Sequence, residues 1–253
     1  MLEDYIWQKQ KEKGILLMAH VVVGYPNIEE SFQLVRTIVA AGVDLMELQI
    51  PFSEPVADGP VILNANQVAL GSGVKVDDCF RFAHRVTTAF DIPFLFMTYY
   101  NIVFTRGEER FFRDARQAGI RGTIVPDLPP EEGEYYMAAA AANNIDPIFI
   151  FTPTTPCERL GYLARFGRGF FYCVARRGVT GAKTDFSAQL DEFLGRCRKE
   201  TRLPLALGFG VSCREDVSSL QGKAEVAVVG SQALRVAGTS GIKAVGDLFR
   251  SMR

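Results

Sequence analysis

The chain has 253 residues, 48% of them hydrophobic and 23% charged, with a formal net charge of -1. That composition can bury a large core and is far from that of a disordered chain. Lys and Arg are scattered along it, so the field with which nucleic-acid binders collect phosphates is missing and nucleic acid is not an expected partner. Met1 to Gln10 lacks the basic start and apolar stretch of a secretory signal, and no apolar stretch reaches the ~20 residues that span a bilayer, so a soluble cytoplasmic protein is expected. The five cysteines (Cys79, Cys157, Cys173, Cys197 and Cys213) are odd in number and form no C-x-x-C pair, which argues against a disulfide framework or a zinc site.

In chain order, Leu2 to Lys13 reads as a helix ahead of the first strand. Eight short apolar runs follow: Leu16 to Val23, Leu45 to Ile50, Pro93 to Met97, Gly122 to Val125, Pro147 to Phe151, Phe170 to Val174, Leu203 to Leu207 and Val226 to Val229. The segments between them suit helices. Glu29 to Ala41 carries Phe32, Val35, Ile38 and Val39 on one stripe and ends at Gly42, and Asp77 to Ala89 repeats the pattern with Phe80, Ala83 and Val86. Glu131 to Asn143, with its alanine run, and Ile242 to Met252 are two more. Alternating strands and helices imply a parallel sheet, and eight parallel strands close most naturally into a barrel, whose usual size is ~250 residues. No Pro/Gly/Ser-rich linker divides the chain. The expected fold is therefore α/β, a (β/α)8 TIM barrel in which residues 1–253 form a single domain with an extra N-terminal helix.

In the stretch Val43 to Ile50, which contains the second run, Glu47 stands among apolar neighbours. Burying an ionised carboxylate costs several kcal/mol unless something binds or pairs with it. Strand alternation puts Glu47 and Gln49 on one face and Met46, Leu48 and Ile50 on the other, so the polar pair is expected to face the lumen near the mouth where barrel enzymes keep their catalytic groups. A buried ion pair with an Arg or Lys elsewhere explains Glu47 equally well at this point. Asp58, in an Asp-Gly pair, is on its own more simply a turn residue.

Three glycine-bearing turns follow the last three runs: Arg177 to Lys183, Gly208-Phe209-Gly210-Val211-Ser212 and Gly230-Ser231. Backbone N–H groups hold a phosphate only where side chains do not obstruct them, and barrel enzymes often use these loops for that purpose. Taken together, the three turns point to phosphate binding. Tyr172 in the sixth run reads as core, Asp127 as a helix cap or loop anchor as readily as a chemical group, and His20 and His84 as structural or surface residues.

The segment Glu47-Leu48-Gln49-Ile50-Pro51-Phe52-Ser53-Glu54-Pro55-Val56-Ala57-Asp58-Gly59-Pro60 closely resembles a signature of the tryptophan synthase alpha subunit family, E-L-G-I-P-F-S-D-P-x-A-D-G-P, and Asn66-Gln67 continues it. Tyr99-Tyr100-Asn101 with Val103-Phe104, Val125 to Pro129, Gly178-Val179-Thr180-Gly181, Gly208-Phe209-Gly210 and Val229-Gly230-Ser231 resemble further signatures, so the likeness spans essentially the whole chain.

The resemblance implies retro-aldol cleavage of indole-3-glycerol phosphate to indole and D-glyceraldehyde 3-phosphate, a carbon-carbon lyase reaction without metal or organic cofactor. It implies Glu47 as general acid/base and Asp58 as a second catalytic carboxylate. Tyr172 and Thr180 would border the substrate, and Gly181, Gly210, Gly230 and Ser231 would hold its phosphate. The implied partner is the tryptophan synthase beta subunit, in an alpha2beta2 complex, which receives the indole for L-tryptophan synthesis and to which pyridoxal phosphate belongs. The loops carrying Asp58 and Thr180 are expected to act as lids.

Three departures from the family pattern stand out: Gln49 where Gly is usual, Glu54 where Asp is usual, and the stretch Ala19 to Pro26 in place of the usual aromatic and Thr pattern. They keep open two other functions, a stand-alone indole-3-glycerol phosphate lyase and a non-catalytic regulatory subunit that activates its beta partner.

Overall fold

Period-two apolar runs become strands here because each buries both its faces, one against helices and one against the other strands. The computed structural model describes residues 1–56, 58–174, 183–208 and 210–253. Its strands are β1 (Leu16–Val22), β2 (Leu45–Gln49), β3 (Phe94–Met97), β4 (Gly122–Ile124), β5 (Asp146–Ile148), β6 (Ile150–Phe151), β7 (Phe171–Val174), β8 (Leu205–Gly208) and β9 (Val226–Val229). They pair in parallel in the order β5-β4-β3-β2-β1-β9-β8-β7-β6. Only Phe149 separates β5 from β6, and its carbonyl accepts from the Tyr172 N–H at 3.0 Å. The fifth apolar run is thus bonded to β4 through its first half and to β7 through its second, and the sheet closes on itself as the expected barrel.

Most expected helices form nearly where the sequence puts them: Leu2–Lys13, Ile28–Ala40 and Val76–Ala89. Two differ. The helix expected from Glu131 starts at Glu134, because residues 131–133 form a turn that ends at Gly133. The last helix begins at Ser231, well before Ile242, and runs to Ser251 with a break at Gly241, whose φ of 80° is left-handed.

Two apolar layers result. Leu16, Met18, Leu45, Leu95, Phe170 and Val228 fill the lumen, while Leu17, Met46, Leu48, Phe94 and Phe96 pack outward against the helices. The N-terminal helix closes one end of the lumen with Leu2 and Ile6, and the Leu2 N–H donates to Asp146 Oδ2 at 3.1 Å. Gly122 leaves room for this plug, since a Cβ there would meet Leu2 Cδ1 at 2.8 Å. At the same end buried Asp44 accepts from the Leu17 N–H at 2.8 Å, from Lys13 Nζ at 2.5 Å and from the Arg253 guanidinium. One carboxylate thereby ties the N-terminal helix, β1 and the last residue together. Among the described residues the far end of the lumen stays open.

Candidate active site

Alternation along β2 carries Leu45, Glu47 and Gln49 into the lumen in ascending order. Leu45 joins the lumen layer, and Glu47 and Gln49, 3% and 0% exposed, stand above it. The charge on Glu47 is not matched by an Arg or Lys among the described residues. Its partner is His20, directly opposite it in the β1–β2 register, with Nδ1 at 3.1 Å from Oε1. Of the two expected places for a histidine, structural or surface, His20 is not at the surface: it lies in the lumen beside Glu47, whereas His84 is exposed on a helix. The second oxygen of Glu47 and Nε2 of His20 are buried without a hydrogen-bond partner among the described residues.

Asp58 reaches the same place from the loop after β2. Gln49 Nε2 donates to its Oδ2 at 2.6 Å, and the Tyr99 hydroxyl donates to the same oxygen at 3.3 Å. The loop is pinned from below. Asn66 Oδ1 accepts from the Phe52 N–H at 2.9 Å, Asn66 Nδ2 donates to the Ile62 carbonyl at 2.8 Å, and Phe52 stacks on Tyr99 with ring centroids 5.0 Å apart. Gly59 then caps the helix Pro60–Gly71, whose first residue is a proline with no N–H to satisfy. Asp58 is therefore more than a turn residue, because two polar side chains from β2 and the β3 end fix its carboxylate.

Above these carboxylates opens a cavity of about 590 Å³ lined by His20, Glu47, Asp58 and Tyr172. Met97, Ile124, Ile150, Val174 and Val228 give it apolar walls suited to a flat aromatic ring, and Gly210, Gly230, Ser231 and Arg235 line it at the ends of β8 and β9. Gly210 has a φ of 92°, a conformation that L side chains rarely adopt. Ser231 opens the final helix, so its backbone N–H lies among the free donors of a helix N-terminus. Tyr172 takes its position from Gly208 on the neighbouring strand, where a Cβ would meet the phenol ring at 2.4 Å. Thr180 and Gly181 lie outside the described residues. Asp127 accepts from the Tyr100 N–H at 2.9 and 3.1 Å and so anchors the helix Tyr100–Arg106. Arg235 is a cavity-lining cation that the motif reading passed over; its signal is its place on the first turns of the helix that Ser231 opens.

Burial alone would push the His20 imidazole down, yet the facing Glu47 carboxylate, with Asp58 behind it, leaves His20 above its ordinary value. Burial raises the Asp58 carboxyl above the usual range, opposed by the His20 charge and by the Gln49 and Tyr99 hydrogen bonds. Burial, reinforced by the Glu47 and Asp58 charges, holds the Tyr172 hydroxyl well above its usual value, so it stays a neutral phenol.

A parallel barrel with two carboxylates beneath a largely apolar cavity, lined also by glycine turns and a helix N-terminus, has the arrangement of a barrel enzyme whose site can take an apolar ring and an anionic group. Comparison with known proteins agrees. The family model described as tryptophan synthase alpha chain matches residues 6–244. A tryptophan synthase alpha chain of Syntrophotalea carbinolica is 58% identical over 253 residues, covering 100% of both chains, and one of Desulforapulum autotrophicum is 54% identical over 252 residues. Among solved structures, that of Mycobacterium tuberculosis tryptophan synthase superposes with a TM-score of 0.91 at 31% identity, covering 99% of this chain and 96% of that one. The chain belongs to the tryptophan synthase alpha chain family, whose reaction is the cleavage of indole-3-glycerol phosphate to indole and glyceraldehyde 3-phosphate.

Proposed function

We propose that this cleavage is carried out by Glu47 as general acid/base and Asp58 as the second catalytic carboxylate. Breaking the bond between the indole ring and the glycerol chain requires carbon 3 of the ring to take a proton and the adjacent hydroxyl to lose one. Both events occur at the same bond, within reach of one carboxyl group. Protonation of carbon 3 leaves positive charge on the ring nitrogen. Asp58, accepting a hydrogen bond from that N–H, stabilises charge that grows only toward the transition state. The observation that carries the reading is the pair of buried carboxylates beneath an apolar slot, one of them with an oxygen that has no hydrogen-bond partner among the described residues.

The remaining groups bind. Tyr172 borders the ring beside Glu47, and Gly210, Gly230 and Ser231 hold the phosphate through backbone N–H groups and the helix N-terminus. Thr180 and Gly181 are assigned to the same substrate shell, and the loops that carry Asp58 and Thr180 to closure over it. Indole passes to a tryptophan synthase beta subunit, the partner of alpha chains in this family. Residues 1–253 act as one domain, and the working place is the cytoplasm; among the described residues no helix is long and apolar enough to cross a membrane.

Cleavage in deuterium oxide tests the proton route. The released indole is expected to carry one deuterium at carbon 3, with glyceraldehyde 3-phosphate formed in equal amount. Indole without that label would contradict protonation at carbon 3 by an exchanging side chain.

A further inference from the structure

A general acid/base on a carboxyl group alone must hold its proton at the pH where it works, which a lone carboxylate does only if its surroundings are strongly apolar. Here the surroundings differ. Glu47 faces an imidazole at hydrogen-bond distance, His20 Nδ1 to Oε1 at 3.1 Å, and the two side chains are 6% and 4% exposed. They sit opposite one another on adjacent strands, so the β1–β2 register brings the two side chains together on the lumen face. Both line the cavity, and each has one polar atom with no hydrogen-bond partner among the described residues, Nε2 of His20 and Oε2 of Glu47. Gly230, at the end of β9, approaches the imidazole without a side chain: a Cβ there would lie 3.6 Å from that of His20.

We propose that His20 and Glu47 form a proton-sharing dyad in which His20 is the positioning and proton-holding partner of the general acid/base. The inference rests on the role given to Glu47 above and extends it to a residue outside the family-like motifs. At neutral pH the pair holds one proton between Nδ1 and Oε1. In the forward step that proton leaves for carbon 3 of the indole ring and the ring nitrogen takes the positive charge. The glycerol hydroxyl then gives its proton to the pair while its oxygen forms the aldehyde double bond. The electrons of the broken carbon-carbon bond return to the ring and neutralise the nitrogen. One proton leaves the pair and one comes back, so the dyad is restored without any further reactant.

The groups that face His20 set the range over which the pair keeps its proton. Glu47 on β2 and Asp58 on the loop after it favour the imidazolium, the Tyr172 phenol on β7 is neutral, and Arg235 on the final helix lines the same cavity as a cation. Burial works against the charged ring, and the carboxylates outweigh it. The alkaline limit of turnover therefore belongs to His20 and lies above the range in which an isolated carboxyl group would retain its proton.

The test uses the full chain with its beta subunit and follows indole release against pH for wild type and His20→Asn, whose amide nitrogen can occupy the place of Nδ1 but cannot titrate. The alkaline limb of kcat is expected to move down by about one pH unit or more, with KM changed less than about threefold. A pH profile of unchanged shape would overturn the dyad. Nitrogen-15 NMR of the histidines in wild type keeps the proposal testable should the variant fold poorly. His20 is expected to titrate above the ordinary value of ~6.5 and to fall back when Glu47→Gln removes the facing charge. An imidazole that stays neutral, or a titration indifferent to Glu47→Gln, would overturn it. Indole release retained by Glu47→Gln would overturn the underlying role of Glu47 as well, whereas an inactive Glu47→Gln beside an unmoved pH limb overturns the dyad alone.

Discussion

Gln49 donates its amide to Asp58 at 2.6 Å, so the residue that departs from the family signature on β2 makes the shorter of the two hydrogen bonds that fix the second carboxylate. Glycine, usual at this position, has no side chain with which to reach Asp58. The strand carries both halves of the site: Glu47 itself, and two residues on, the support of Asp58. Hydrogen bonds to charged groups contribute about 1.5–3 kcal/mol. Gln49→Gly is therefore expected to lower kcat roughly tenfold or more, with a smaller change in KM, because Asp58 is asked to stabilise charge that develops after binding. Steady-state cleavage kinetics check this, and an unchanged kcat would show that Tyr99 and the loop suffice to hold Asp58.

Asp58→Asn is expected to trade turnover for stability. A carboxyl group whose folded-state value is raised binds protons more readily in the folded chain than in the unfolded one. Stability from that group is thus greatest at low pH and is lost as pH rises from the ordinary carboxylate value through the raised one. Above that window the ionised Asp58 is a cost that Asn removes. Urea unfolding at neutral pH should show the variant at least as stable as wild type, the difference vanishing in acid, while cleavage falls steeply.

His20 supplies a pH dependence of the same sign, but from a group whose charged form is the one the fold favours. Its folded value is raised by Glu47, so the stability contributed by the pair is fully present below the unfolded histidine value and is lost as pH rises through the folded one. Wild type should exceed His20→Asn in stability most at mildly acid pH, with the gap closing toward alkaline pH in denaturant titrations.

Gly208→Ala tests how Tyr172 is held. The added methyl would meet the ring at 2.4 Å, and because the phenol borders the cavity, the ring is expected to be displaced into it. KM for the indole substrate should rise about tenfold, in line with the cost of over-packing a buried contact. Affinity for inorganic phosphate should change little. Equal loss of both ligands would mean that the barrel, not the ring, had shifted.

Two buried carboxylates in the stretch Val43 to Ile50 show what the amino-acid sequence does and does not disclose. Asp44 and Glu47 are both almost fully buried. Asp44 is saturated by a backbone N–H and two cations brought from both ends of the chain, and its replacement by Ala should cost about 3 kcal/mol of stability without altering kcat. Glu47 has a titratable partner and an oxygen without one. Alternation along β2 was enough to turn Glu47 and Gln49 inward. The same alternation places His20 on the lumen face with Leu16 and Met18, but a lone histidine has no spacing signal, and its partner is set by strand register across the sheet. The early start of the last helix was hidden for a local reason: Gly241 interrupts it, so only the half after the break has a recognisable pattern. Asp58 is legible through its motif, whereas the Gln49 and Tyr99 donors that fix it become visible only once β2 and β3 lie side by side.

The central claim is that Glu47 moves the protons of the cleavage, and a single-turnover assay of indole release by Glu47→Gln in the presence of the beta subunit tests it most directly. Gln keeps nearly the shape of Glu and can face His20, but it cannot exchange a proton with carbon 3. The account predicts that indole release is abolished while affinity for a phosphate-bearing substrate analogue stays nearly unchanged. Indole released at a rate near that of wild type, with binding intact, would contradict it.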